Sequence, residues 1–402
     1  MRDIIRVLLI PSSDYLGHPF PQRHNHLFDR LHDEKEFEVH VIRFNIFGKP
    51  RLSSRCIIHE LPLELRTHST ALYYLANVAS YTSEILRIVK RESIDIVVAG
   101  NLLPPLTYSL ARQLTEKKIP FVFDLQDYYP TSAAGYITNT ESILGTVLKG
   151  VFEAMTQYLI RIADAVTVPG IALAMYARKV GAKKVYIVPN GISEHFLQKY
   201  DGTKIRKKLG FEENDIVVGY IGSIEFWLDM EPLIKAIAEV HRQGIPVKFL
   251  LIGKHLQTGY PRKIENWIRK YGIKKITTWL NFVPHEEVPK YIAAINIGTT
   301  PFDVKNPTAY YAAPNKLWEY LSQGITVMAT PIPEIVAHSR TITNIRIVRH
   351  QKDYIVSIKG ATTSRNDGLQ RSEIERILLS RTWSRSAECL SEILKNILAL
   401  RS

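Results

Sequence analysis

Only two cysteines, Cys56 and Cys389, occur among 402 residues. Two thiols so far apart supply neither a disulfide framework nor a zinc-ligand set, which makes a reducing, cytosolic setting the default expectation. Long apolar runs are missing as well, since nothing approaches the roughly 18 uninterrupted apolar residues of a membrane-spanning helix. The run from Ile96 to Leu106 is broken by Asn101, Pro104 and Pro105. The start of the chain, with Arg2, Asp3 and Arg6 around Ile4–Ile10, is too short and too charged for a signal peptide and reads as a first strand. No Gly-x-Gly-x-x-Gly follows any strand, which argues against a dinucleotide dehydrogenase. No nucleic-acid reading module and no basic cluster interleaved with aromatics is present, so nucleic acid is not an expected partner. The excess of 52 basic over 39 acidic residues, a net charge of +13, then points to anionic lipid or phosphorylated small molecules.

What is present is ordinary globular composition, 46% hydrophobic and 23% charged, in a chain long enough for two or three domains. Short apolar runs alternate with helical patterns throughout. In the first half the strand candidates are Ile4–Ile10, Val39–Arg43, Asp95–Ala99, Phe121–Phe123, Ala165–Val168 and Val185–Val188. One long pattern from Leu72 to Arg91 has helical spacing, and Tyr73, Tyr74 and Tyr81 on it read as packing residues. Pro189-Asn190-Gly191 is a turn signal, and the Lys-rich stretch after it, including Lys204 to Lys208, reads as a domain junction with a solvated helix face. A second alternating set starts at Ile216–Ile221 and runs through Val247–Ile252, Ile276–Phe282, Ile297–Thr300, Ile325–Ala329 and Ile345–Val348. The tail from Glu373 is helical. Strands alternating with helices predict parallel sheets covered on both faces. The expected architecture is α/β, two Rossmann-like domains at 1–189 and 190–372, with helices 373–402 packing back on the first domain and ligands at the carboxyl ends of the strands.

The most informative segment is Pro314-Asn315-Lys316-Leu317-Trp318-Glu319-Tyr320-Leu321-Ser322-Gln323-Gly324. Pro314 suits a helix start and Gly324 the position just past its end. Helical spacing puts Asn315, Lys316 and Glu319 on one face and Leu317, Trp318 and Leu321 on the other. A helix N-terminus carrying a lysine suits an anion, and a carboxylate one turn on can accept hydrogen bonds from sugar hydroxyls. A surface helix with a solvated charged face would show the same spacing.

This segment resembles the Pro-x-Lys-x-x-Glu-Tyr-x-x-x-Gly signature of GT-B glycosyltransferases of the family 4 type. Four further pieces follow in that family's order: Ile162–Val168 with its Ala163-Asp164, Val188–Ile192 with its Pro-Asn-Gly, Gly219–Ser223, and Leu250–Gly253. The resemblance implies an N-terminal acceptor domain, a C-terminal nucleotide-sugar domain and a final helix that crosses back. It further implies sugar transfer with retention of configuration, no metal and no cofactor beyond the nucleotide-diphosphate sugar itself. The chain has no Asp-x-Asp, the cation-holding motif of the other large transferase fold. Diphosphate charge then falls to Lys or Arg, backbone amides and helix termini.

Donor-side candidates are Gly222, Ser223, Lys254, Asn315, Lys316 and Glu319, with His255 beside Lys254. Two departures accompany them. Tyr311 stands where the family often has a glutamate touching the donor hexose, and Ser223 and Leu228 stand where it usually has a basic pair. On the acceptor side, Asp124 and Asp127 follow a buried strand, where a carboxylate could orient or deprotonate a hydroxyl; each could instead cap the next turn. Gly17 and His18 lie in the loop after the first strand, and Arg23, His24 and His26 open the helix behind it. The expected partners are a nucleotide sugar, a glycan or lipid-linked acceptor and an anionic membrane surface approached from the cytosol. A sugar-nucleotide epimerase and an inactive binding protein on the same fold are the alternatives.

Overall fold

The computed structural model describes residues 4–61, 70–115, 118–253, 259–362 and 368–400. It divides into two compact units, Met1–Asn190 with Trp383–Ser402, and Gly191–Thr382.

The first unit is built on seven strands: β1 (Ile5–Ile10), β2 (Phe37–Arg43), β3 (Ile57–Glu60), β4 (Ile96–Ala99), β5 (Phe121–Asp124), β6 (Ala165–Val168) and β7 (Val185–Ile187). All pairings are parallel and the spatial order is β3-β2-β1-β4-β5-β6-β7. The central strands carry continuous Val, Ile, Leu and Phe, and β4, β5 and β6 are buried along their whole length. That is the pattern of a parallel sheet with helices on both faces. The order reverses between β2 and β4 on either side of β1, and the carboxyl end of β1 is therefore the switch point where such sheets bind ligands.

The second unit has six strands: β8 (Ile216–Ile221), β9 (Val247–Ile252), β10 (Thr277–Leu280), β11 (Ile297–Thr300), β12 (Thr326–Ala329) and β13 (Ile345–Ile347). They are again all parallel, in the order β10-β9-β8-β11-β12-β13. Its switch point is the carboxyl end of β8, between β9 and β11.

Three expectations are adjusted. Asn190 belongs to the first unit, where its side chain accepts a hydrogen bond from Arg23 Nη1 at 2.9 Å. Residues 373–382, expected with the tail, belong to the second: Leu378 is buried in its core and the Arg381 guanidinium lies 4.0 Å from the Trp318 ring centroid. Only the helix Trp383–Ala399 packs in the first unit. Its Leu390 and Leu394 join that unit's core, Trp383 stacks on His26 with ring centroids 4.6 Å apart, and Ser391 Oγ donates to Glu34 at 2.7 Å. The long helix expected from Leu72 to Arg91 is two, Thr70–Ala76 and Val78–Arg91. Between them the Asn77 amide donates back to the Tyr73 carbonyl at 2.8 Å, a local bond that competes with the helical ladder. Tyr74 and Tyr81 pack against Phe44 and Tyr73 against Tyr74, as their spacing suggested. In the basic run Arg206 ties down the carbonyls of Glu212, Asp215 and Ala294, while Lys204, Lys207 and Lys208 are exposed. Among the described residues no helix is long and apolar enough to cross a membrane.

Candidate active site

In the first unit, the ends of β1, β4 and β5 converge on one carboxylate. Asp124, the last residue of β5, is buried and accepts from Arg23 Nε and Nη2 (both 3.2 Å) and from Thr167 Oγ1 (2.7 Å). Gln126 Nε2 (3.1 Å) and His24 Nε2 (3.1 Å) complete its shell. A carboxylate offers about four lone-pair sites, and here the chain's own donors fill them. Burial alone would raise the Asp124 pKa; the Arg23 charge and the His24 hydrogen bond outweigh it and hold the carboxyl well below the usual range. The sequence offers Asp124 and Asp127 each as a carboxylate that orients or deprotonates a hydroxyl or caps the next turn. The geometry makes Asp124 an anchor, with no oxygen left to take a proton from an acceptor.

The same network fixes its neighbours. Arg23 is buried between Asp124 and Asn190, and its guanidinium is hydrogen-bonded to both. His24 accepts the Ser12 backbone N–H on Nδ1 at 3.2 Å, so Nε2 carries the proton given to Asp124. Burial lowers its pKa despite that carboxylate, and the ring is neutral. Gly100, after β4, is required here, because a Cβ would stand 2.7 Å from His24 Cε1. Next to it Asn101 holds a left-handed conformation, φ 76°, and donates from Nδ2 to the Ser12 carbonyl at 2.8 Å. Asparagine tolerates this region because its short polar side chain bonds locally.

Asp127 lies apart from this cluster. Its carboxylate accepts the Tyr128 N–H at 2.7 Å at the start of the helix Tyr129–Ile137, and burial raises its pKa. Gly17 is pinned by Asp14, whose Oδ1 accepts the Gly17 N–H at 2.9 Å and whose carboxylate leaves no room for a Cβ. His18 is half-buried with its ring edge-on to Phe20 at 4.8 Å, and burial lowers its pKa.

In the second unit, Lys316 and Gly222 meet at the switch point. Pro314 is the cap and the helix runs Asn315–Ser322, with Gly324 left-handed just past its end (φ 76°). Leu317, Trp318 and Leu321 face the core, and Asn315, Lys316 and Glu319 form the less buried face. The Lys316 ammonium lies 4.5 Å from the Tyr220 ring centroid and 5.6 Å from that of Phe302. It donates to Tyr220 Oη at 2.9 Å. Loss of water pulls its pKa down to about 8, with Glu319 opposing. Burial pushes the Glu319 carboxyl up to about 7, with Lys316 opposing. Glu319 Oε1 is 4.0 Å from His285 Nε2. Asn315 Oδ1 is buried with no hydrogen-bond partner among the described residues. Gly222, at φ 147°, follows β8 directly, and a Cβ there would come within 2.7 Å of Lys316 Nζ. Ser223 is the next residue of this turn. Lys254 and His255 lie outside the described residues.

Sequence reasoning missed Tyr220, Phe302 and His285, and weighed His24 only as a lone histidine. Helical and strand periodicity identifies core positions but not which aromatic hydroxyl meets which lysine across a sheet.

Two family profiles match consecutive parts of the chain: Glycosyltransferase Family 4 over residues 23–196 and Glycosyl transferases group 1 over residues 201–341. The chain belongs to the GT-B glycosyltransferases of the family 4 type. Among solved structures it resembles sucrose-phosphate synthase from Thermosynechococcus elongatus, with TM-score 0.77 and 16% identity over 99% of this chain and 100% of that one. It also resembles HepE from Anabaena in complex with UDP, at TM-score 0.70 and 17% identity, covering 98% of this chain and 100% of that one. WaaG, a glycosyltransferase involved in lipopolysaccharide biosynthesis, follows at TM-score 0.63 and 16% identity over 97% and 99%. No curated protein matches the sequence. At these identities the solved structures establish the two-domain α/β fold, and the family profiles establish a transferase of sugars.

Proposed function

We propose that this glycosyltransferase moves a hexose from a nucleotide-diphosphate sugar to a glycan or lipid-linked acceptor, with retention and without a divalent metal. The observation that carries the donor half is Lys316. Its ammonium is half-buried at a helix N-terminus, inside an aromatic half-cage, with no carboxylate within ion-pair distance among the described residues. An ammonium so desolvated gains most from an anion, and a diphosphate leaving group develops charge in the transition state where such a cation lowers the barrier. Glu319, one turn on and about 4.5 Å further along the axis, suits ribose hydroxyls. HepE was solved with UDP and with UDP-glucose, which supports a nucleotide-sugar donor here as well. For the acceptor, Asp127 retains the role of base and Gly17 and His18 that of a binding loop. Arg23 and Asp124 hold the ends of β5 and β6 together beside it.

The test is calorimetric titration of the full chain with UDP and UDP-glucose, followed by a transfer assay that separates glycosylated product from free sugar. Lys316→Ala should weaken UDP by about thirtyfold, or about 2 kcal/mol, and slow transfer. A change within about twofold in both affinity and turnover, under roughly 0.5 kcal/mol, refutes the assignment. Release of an isomerised sugar with no transfer product would point to the epimerase reading instead.

A further inference from the structure

The second switch point contains one residue that the reading above leaves without a task, Tyr220. It sits next to last in β8, fully buried, and its hydroxyl faces both ways across the site. The hydroxyl donates to the Ser223 carbonyl at 2.5 Å and accepts from Lys316 Nζ at 2.9 Å. A phenol has one proton, so with that proton on Ser223 the contact to Lys316 has only one polarity: the ammonium donates. The ring centroid lies 4.5 Å from the same ammonium. Gly222 completes the arrangement, since any side chain there would occupy the space of Nζ.

We propose that Tyr220 is a positioning residue: it holds the Lys316 ammonium against the Gly222 turn and ties that ammonium to the Ser223 backbone, ready for the donor's diphosphate. The proposal rests on the reading that Lys316 meets the diphosphate. It accounts for how the chain works with Ser223 and Leu228 at the two positions where its family resemblance calls for basic residues. One ammonium on a four-carbon stem has many rotamers, and each lost on binding weakens the complex. A lysine already fixed by a hydroxyl and a ring reaches the diphosphate without that loss, as preorganisation requires. Burial keeps the Tyr220 hydroxyl well above its ordinary pKa, so it remains a neutral phenol and does not serve as a base.

The charged group that faces Lys316 is Glu319 on its own helix, with His285 beside that carboxylate, and the groups that face the Tyr220 hydroxyl are Tyr320, Tyr260 and Glu225. The experiment therefore compares the full chain with Tyr220→Phe and Lys316→Ala, using UDP as probe and inorganic pyrophosphate as a second probe that is indifferent to the base. Tyr220→Phe keeps the ring and removes only the hydroxyl. It is expected to weaken both probes by about tenfold, roughly 1.4 kcal/mol, with circular dichroism unchanged. UDP affinity should decline as pH rises through the Lys316 pKa of about 8. Without the accepting hydroxyl the ammonium is less favoured, and this decline should move to lower pH in Tyr220→Phe. A structural role alone would not move it. If Lys316→Ala weakens both probes but Tyr220→Phe leaves affinity within about twofold and the pH limb in place, the positioning role is overturned. If Lys316→Ala changes nothing, the donor reading itself fails and the role of Tyr220 falls with it.

Discussion

Asp124→Asn separates an anchoring carboxylate from a reacting one. The substitution keeps shape and one accepting oxygen, but it turns an NH2 group toward a shell made of donors: Arg23 Nε and Nη2, His24 Nε2, Gln126 Nε2 and Thr167 Oγ1. It leaves the Arg23 guanidinium buried without its counter-ion. Removing one partner of a buried ion pair costs about 3–5 kcal/mol, a large part of the roughly 5–15 kcal/mol that holds a domain together. The cost should appear in the first unit alone. Hydrogen exchange read peptide by peptide is the assay: protection should fall in β5 and β6, which the network joins, and stay unchanged in β8 and β9. Arg23→Met added to Asp124→Asn should recover part of the loss, because the unpaired charge goes with it. The acid behaviour has a definite sign. The folded-state pKa of Asp124 lies below its unfolded value of about 3.9, so the contribution is complete above that value and is lost as pH falls through the folded pKa, in strong acid only. A cost under about 1 kcal/mol, or equal loss of protection in both units, would refute the anchoring argument. Disappearance of the acid limb of the pH–rate profile in a folded Asp124→Asn protein would return Asp124 to the role of base.

Other outcomes follow from the same geometry and charge. Transfer should survive complete chelation of divalent metals, since the chain has no Asp-x-Asp; loss of turnover in EDTA, restored by magnesium or manganese, would contradict this. Association with anionic liposomes should be measurable by flotation and fall as salt rises, given the +13 charge and the exposed Lys204, Lys207 and Lys208, each basic group contributing about 1 kcal/mol near such a surface; no flotation even at low salt would count against it. At the edge of the first sheet Arg91 donates to His59 Nδ1 (3.3 Å), which leaves His59 Nε2 to donate to His40 Nδ1 (2.9 Å) and His40 Nε2 to Glu38 (3.1 Å). Burial and His40 lower the His59 pKa, so the unfolded chain binds more protons near pH 6 and stability should decline as pH falls. The loss of one such bond, about 1 kcal/mol, should lower Tm by a few degrees between pH 7.5 and 5.5, and His59→Asn should flatten that slope.

The fold was largely legible because parallel sheets write themselves as continuous apolar runs. β4, β5, β6, β8 and β11 are buried along their full length; β4 is an unbroken Ile-Val-Val-Ala segment, and β5 and β8 open on Phe-Val-Phe and Ile-Val-Val. β3 escaped because Ile57–Glu60 is an edge strand with both ends exposed, and His59 and Glu60 dilute its apolar signal. The break at Asn77 escaped for another reason. Its cause is a side-chain bond to Tyr73, which helical periodicity does not register. The tail divided at Thr382 because Leu378 and Leu390 carry the same spacing and differ only in which core receives them.

The site divides along the same line. The polar face of the helix Asn315–Ser322 was readable, because three residues at fixed offsets determine both the face and its chemistry. Asp124 was found but the shell that fills its lone pairs was not, since that shell comes from donors 101 and 100 residues upstream in Arg23 and His24 and 43 residues downstream in Thr167. A carboxylate after a buried strand looks the same in sequence whether its lone pairs are filled or free. Tyr220 shows the converse case. In the sequence it is one more β-favouring residue of a buried strand; in the fold its hydroxyl is the one polar group of β8's side chains, and it meets the one lysine of a helix 96 residues away. Packing chose the tyrosine's place in the strand, and its hydroxyl then had to find partners or remain unsatisfied in the core. That the partners are a lysine ammonium and the carbonyl of a ligand-side turn is what ties the strand's interior to the chemistry at its end.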